Sequence, residues 1–144
     1  MDTLQLSFTL GTTNPQAHLG LQVLLDNQPV FTQEHVTDTQ PVTIDIAAAE
    51  GDHELSFVMT GKTAQDTVIS ETGEIITDSC LTIGSVAFDE IELNHILNQL
   101  SEYSHDFNGS GKPTTEKFYG TMGCNGTVSL KFTSPIYLWL LEHM

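Results

Sequence analysis

An all-β fold, an antiparallel β-sandwich with one short helix, is the class this sequence predicts. Apolar residues recur at every second position in two long runs, Leu4, Leu6, Phe8, Leu10 and Leu19, Leu21, Val23, Leu25, which is the signature of strands with one face buried. The runs stop at turn-forming residues, Gly11 and Asp26-Asn27, and turn signals return about every ten residues, a spacing that suits a sandwich. A single stretch carries helical spacing instead.

The elements follow in order. Val42, Ile44 and Ile46 form the next alternating run, and Leu55, Phe57 and Met59 another after the turn signal Glu50-Gly51-Asp52; both are too short and too rich in β-branched or aromatic residues for a helix. Val68 to Ser70 and Ile75 to Thr77 flank Gly73 as a hairpin, and Leu81 to Phe88 continues the series. The helix comes next. Asp89 is placed to cap it, Glu90 and Glu92 favour its positive end, and Leu93, Ile96, Leu97 and Leu100 make one apolar stripe at i, i+3, i+4, i+7. Gly126 to Thr133 reads as a strand with Val128, Leu130 and Phe132 inward. Pro135 then resets the chain into Ile136-Tyr137-Leu138-Trp139-Leu140-Leu141, an apolar run without alternation. We read it as a strand covered on both faces, either central in the sandwich or meeting another chain, where an edge position would let it complete a neighbour's sheet.

A chain of 144 residues fits one domain, 1–144, which at this size buries about 68–70% of its unfolded surface and needs no disulfide or metal. Nineteen acidic residues face four lysines, for a formal charge of −15, so a polyanion is repelled and nucleic acid is excluded as a partner. The same excess makes Ca²⁺ an attractive counter-ion. The opening residues lack a basic segment followed by a long apolar one, and no stretch reaches the roughly 20 apolar residues of a membrane span. Cys80 and Cys124 are too few for a disulfide framework and too far apart for a zinc site, so two buried free thiols are expected. Asn108-Gly109 and Asn125-Gly126 are read as turns.

Tyr103 to Gly126 is the functional candidate. It concentrates aromatic, glycine and short polar residues between two strand-like regions, and loops held by a stiff scaffold carry function. Tyr103, His105, Asp106, Asn108, Tyr119 and Asn125 are the candidate ligand-binding residues, with rings to stack on a sugar and amides to meet its hydroxyls. Phe107 and Phe118 are expected to plug the core, leaving the tyrosines exposed; Trp139 is expected in the core or an interface. No nucleophile elbow or phosphate-cradling loop is present. The rival chemistry is a small glycoside hydrolase built from Asp106 and Glu116 with His105.

Three segments, LQVLLDNQPV, GDHELSFVM and DSCLTIGSVAFDEIEL, resemble the calcium-dependent carbohydrate-binding modules of the xylan-binding type, which are jelly-roll sandwiches. That resemblance implies that the sandwich is jelly-roll-like and carries a calcium site, for which Asp66 and Asp78 are the nearest candidates. The segments HDFNG, FYGTMGCNG and SLKFTSPIYLWLLE look like small virion structural proteins of tailed bacteriophages. The resulting expectation is a noncatalytic virion component, a capsid decoration, baseplate or fibre-associated protein. It would be made in the host cytoplasm without a signal peptide and displayed on the particle surface. Its partners would be other virion proteins, copies of itself in a homo-oligomer, or a cell-surface glycan. The alternative is a stand-alone carbohydrate-binding module.

Overall fold

A computed structural model describes residues 3–13, 18–47, 49–61, 68–69, 75–77, 80–105, 114–118, 120–122 and 125–143, with backbone alone for 68–69, 75–77, 94 and 95. In chain order the strands are β1 (Thr3–Thr12), β2 (Gly20–Leu25), β3 (Gln28–Gln33), β4 (Gln40–Ala47), β5 (Gly51–Thr60), β6 (Val68–Ile69), β7 (Ile75–Thr77), β8 (Leu81–Phe88) and β9 (Ile91–Glu92). Helix α1 (Asn94–Leu100) follows, then β10 (Glu102–His105), β11 (Thr114–Lys117), β12 (Thr121–Met122), β13 (Gly126–Ser134) and helix α2 (Ile136–His143).

They make an antiparallel β-sandwich. One sheet runs β12-β8-β1-β4 with β9 against β8, the other β11-β10-β13-β5-β2-β3, and β6-β7 form the expected small hairpin. The period-two runs become the inward faces: Leu4, Leu6, Phe8 and Leu10 of β1 meet Leu21, Val23, Phe57 and Leu130 of the opposite sheet in one apolar cluster. Rings tie the layers together, Phe8 edge-on to Phe57 at 5.4 Å between centroids and Phe88 against Phe132 at 4.9 Å, arrangements that add to plain area burial.

The turn at Asp26-Asn27 has both residues at positive φ, 50° and 69°, the backbone of a two-residue hairpin whose twist matches its strands. Asp89 and Glu90 do the same between β8 and β9, at φ 50° and 68°. Asp89 therefore does not cap the helix. Its carboxylate accepts the Gln5 backbone N–H at 2.9 Å while its own N–H donates to the Gln5 carbonyl at 2.8 Å, so it ties the turn to β1. Helix α1 starts later, with Leu93 at its N-cap position and no side-chain cap; Leu93, Ile96 and Leu97 are buried and Leu100 is partly exposed.

The larger correction is at the end of the chain. Ile136 to Leu141 is helix, not strand, so it completes no neighbour's sheet. The Ser134–Pro135 bond is cis and lies between β13 and α2. Ile136, Trp139 and Leu140 are buried at i, i+3, i+4 against β13, while Tyr137, Leu138 and Leu141 stay exposed, at 56%, 63% and 71%. A continuous apolar run suits a buried strand and a core-facing helix equally well, and periodicity alone does not separate them.

Candidate functional site

A cleft of about 640 Å³ opens where α2 crosses the end of β13, beside the β2–β3 turn. Its wall is built by register. On the paired strands β13 and β5, Phe132 stands opposite His53 on the inward face, while Lys131 opposite Glu54 and Thr133 opposite Asp52 turn to the outward face beside it. Helix α2 adds Trp139, Glu142 and His143 on the other side, and Asp26 enters from the turn. Phe132 and Trp139 are buried and form an aromatic floor, their rings 6.3 Å apart and edge-on. Trp139 is in the core, as its sequence context suggested.

His53 is the anchor of this wall. Its ring stacks on Phe132 at 5.5 Å; Nδ1 lies 2.6 Å from Asp26 Oδ2 and Nε2 lies 2.6 Å from the Ala49 carbonyl. A carbonyl only accepts, so Nε2 carries a hydrogen, and a carboxylate facing Nδ1 calls for a second one. The contact with the Ala49 carbonyl, then the bond to Asp26, hold the ring's pKa above its ordinary 6.5 despite some burial. Burial pushes Asp26 upward, but its bonds to His53 and to the Glu54 N–H outweigh this and leave it below 3.8. The His53 contribution to stability is complete below about pH 6.5 and is lost as pH rises through the raised folded-state value; that of Asp26 is present above about pH 4 and is lost as pH falls through its lowered one. Asp26 is about half exposed, which screens the pair. The melting temperature is accordingly expected to fall as pH rises above 6.5. His53→Gln should flatten that slope in a calorimetric pH series.

Of the predicted loop, the described strands are β10, β11, β12 and the start of β13; β10 pairs with β13 at Gly126 to Ser129, toward the opposite end of that strand from the cleft residues Lys131 to Thr133. Tyr103 is 5% exposed and meets Phe118 edge-on at 6.4 Å, so it is a core ring and not the exposed platform expected of it. Phe118 is buried as expected. His105 is buried, and its Nε2 lies 2.6 Å from Glu116 Oε2. Asn125 is half-buried just before β13. Asp106, Phe107, Asn108 and Tyr119, the calcium candidates Asp66 and Asp78, and Cys124 lie outside the described residues. Among the described residues no group of three or more His, Cys, Asp or Glu side chains is arranged to hold a metal ion, and no helix is long and apolar enough to cross a membrane.

Asp26, Asp52, His53, Glu54, Lys131 and Glu142 were not picked out by sequence reasoning as a site. Their only local signal is the charged entry to β5, Asp52-His53-Glu54; the rest depends on which strands pair.

No protein-family model matches the chain, and no curated protein matches it in sequence. Two solved structures are similar to it. One is the selenomethionine form of vCBM60, from a study of circular permutation linking two families of calcium-dependent carbohydrate-binding modules. It is 11% identical, covers 88% of this chain and 89% of that one, and has a TM-score of 0.55. The other is vCBM60 in complex with galactobiose, 12% identical over 88% of this chain and 96% of that one, with a TM-score of 0.49. The first likeness is one of fold, and it agrees with the fold that the sequence resemblance implied.

Proposed function

We propose that this chain is a noncatalytic carbohydrate-binding protein that holds a saccharide in the cleft between β5, β13 and α2. The observation that carries the reading is the cleft: a concave site of ligand size, lined by carboxylate, hydroxyl and ammonium groups together with Phe132 and Trp139. Carboxylates and Thr133 can accept from sugar hydroxyls, Lys131 can donate to them, and the clamped His53 keeps the wall in one position before ligand arrives, which lowers the entropy lost on binding. Support also comes from the fold shared with a protein named as a carbohydrate-binding module. Fold alone does not carry function, so the residues must be tested. On a glycan array the wild-type chain is expected to retain a saccharide that Asp52→Ala/Glu142→Ala binds at least about tenfold more weakly, with the melting temperature within a few degrees of wild type. Retained binding in that variant removes the cleft from the proposal.

The particle-component reading has one support, the exposed Tyr137, Leu138 and Leu141 face of α2, which an assembly would cover. Light scattering on the same sample separates the two readings: a monomer that binds glycan favours the module, a stable oligomer that binds none favours the particle.

Calcium belongs to the proposal through the charge of −15 and the calcium-dependent modules named with the fold neighbour. The described residues do not themselves assemble such a site. Calcium at ~100 times its Kd would add about 2.7 kcal/mol and should raise the melting temperature by several degrees, reversibly with EDTA. An unchanged melting curve removes the ion.

A further inference from the structure

We infer that the saccharide taken by this cleft is cationic, an oligomer of 2-amino-2-deoxy sugar with free amines. The inference rests on the saccharide reading above and adds the chemical class. Asp26 and His53 form a hydrogen-bonded pair whose charges cancel when the ring is protonated. Setting that pair aside, the remaining ionisable groups of the lining are Asp52, Glu54 and Glu142, a single ammonium, Lys131, and the imidazole of His143, which lies against Trp139. Three carboxylates against one lysine are a formal excess of two negative charges, with Asp52 also accepting from the Thr133 hydroxyl at 3.0 Å. The surrounding surface, at −15 over the chain, adds to the same potential.

The three classes of sugar respond differently to that wall. A uronic acid brings a like charge and is repelled. A neutral sugar can hydrogen-bond the carboxylates, yet it must strip water from them without supplying a counter-charge, which costs free energy. A protonated amine supplies both the charge and three donors, and hydrogen bonds between charged partners are about twice as strong as neutral ones. The cleft is large enough for more than a lone amine and has Phe132 and Trp139 in its lining as well as the carboxylates. These features suit a ring that carries the amine better than a simple metal ion.

Lys131 makes the idea testable in sign. It lies opposite Glu54 on the paired strands and competes with an incoming amine, so its removal should tighten binding, an outcome that general damage to the fold would not produce. Isothermal titration of the full chain with a glucosamine tetramer, the N-acetylated tetramer, neutral gluco- and xylo-oligosaccharides and a galacturonate trimer is the experiment. The free-amine tetramer is expected to bind about tenfold more tightly than its acetylated form at low salt. That preference should shrink as ionic strength rises from about 0.1 M to about 1 M, where the screening length drops from ~10 Å to ~3 Å. Glu142→Gln should weaken binding of the amine several-fold and Lys131→Gln should strengthen it. Asp45→Asn makes the same charge change as Glu142→Gln on exposed β4 of the other sheet and should leave affinity unchanged. The inference is overturned if acetylated or neutral sugars bind as tightly as the amine, if Lys131→Gln weakens binding, or if Asp45→Asn acts as strongly as Glu142→Gln. Tight cleft binding of a neutral sugar without preference for the amine would sink the inference and leave the saccharide reading standing; no binding by any sugar would sink both.

Discussion

Phe132→Ala is expected to lower the unfolding free energy by about 3–5 kcal/mol, the range for emptying an aromatic position in a packed core. Phe132 is 2% exposed and stands at the junction of three elements. Its ring meets Phe88 of the opposite sheet at 4.9 Å, His53 of β5 at 5.5 Å and Trp139 of α2 at 6.3 Å. Truncation would leave a void beneath the clamped imidazole and beside the indole at once. Denaturant titration should show the loss, and the same variant should bind saccharide poorly because the floor of the cleft goes with the ring. Phe132→Leu, which keeps most of the volume, should cost less than half as much. Equal losses for the two variants would mean that the ring's packing is not what holds α2 to the sandwich.

Gly126→Ala is expected to destabilise by about 1–3 kcal/mol, as overpacking does. A methyl group there would lie 2.4 Å from the Ser104 carbonyl oxygen, 2.9 Å from the His105 Cβ and 3.0 Å from the Tyr103 ring. Gly126 pairs with Met59 on β5 and with His105 on β10, so the backbone on the β10 side must move to admit the methyl. Gly84→Ala is the control. Nothing lies within 4 Å of its added carbon, and its denaturation midpoint should match wild type within about 0.5 kcal/mol. If Gly126→Ala were equally silent, β10 would not be packed as tightly against β13 as the structure has it.

Gly126 also illustrates how far local signals reach. Asn125-Gly126 is a turn dipeptide by composition, but the glycine begins the long strand β13 and is needed because β10 approaches so closely. Asp89 has the residue type of a helix cap, yet it serves a tight turn bonded to Gln5, 84 positions away. In both cases the residue type was informative and its partner was not, since the partner is set by strand pairing. Tyr103 is similar. Its neighbours suggested an exposed loop ring, whereas the alternation of β10 turns it inward toward Phe118.

Much of the β architecture could be read from one dimension. Side chains alternate across a strand, so period-two runs had to become the inward faces of sheets, and Asp26-Asn27 had to be a tight turn because few other residue pairs tolerate positive φ twice in succession. The acid excess is likewise a property of composition alone. Tertiary packing decided the rest: that the last apolar run is a helix with only Ile136, Trp139 and Leu140 turned inward, and that residues as distant as Asp26, His53, Lys131 and Glu142 line one cleft. The reason is that local periodicity reports which face of an element is apolar, whereas a cleft forms from the register and crossing of elements far apart in the chain.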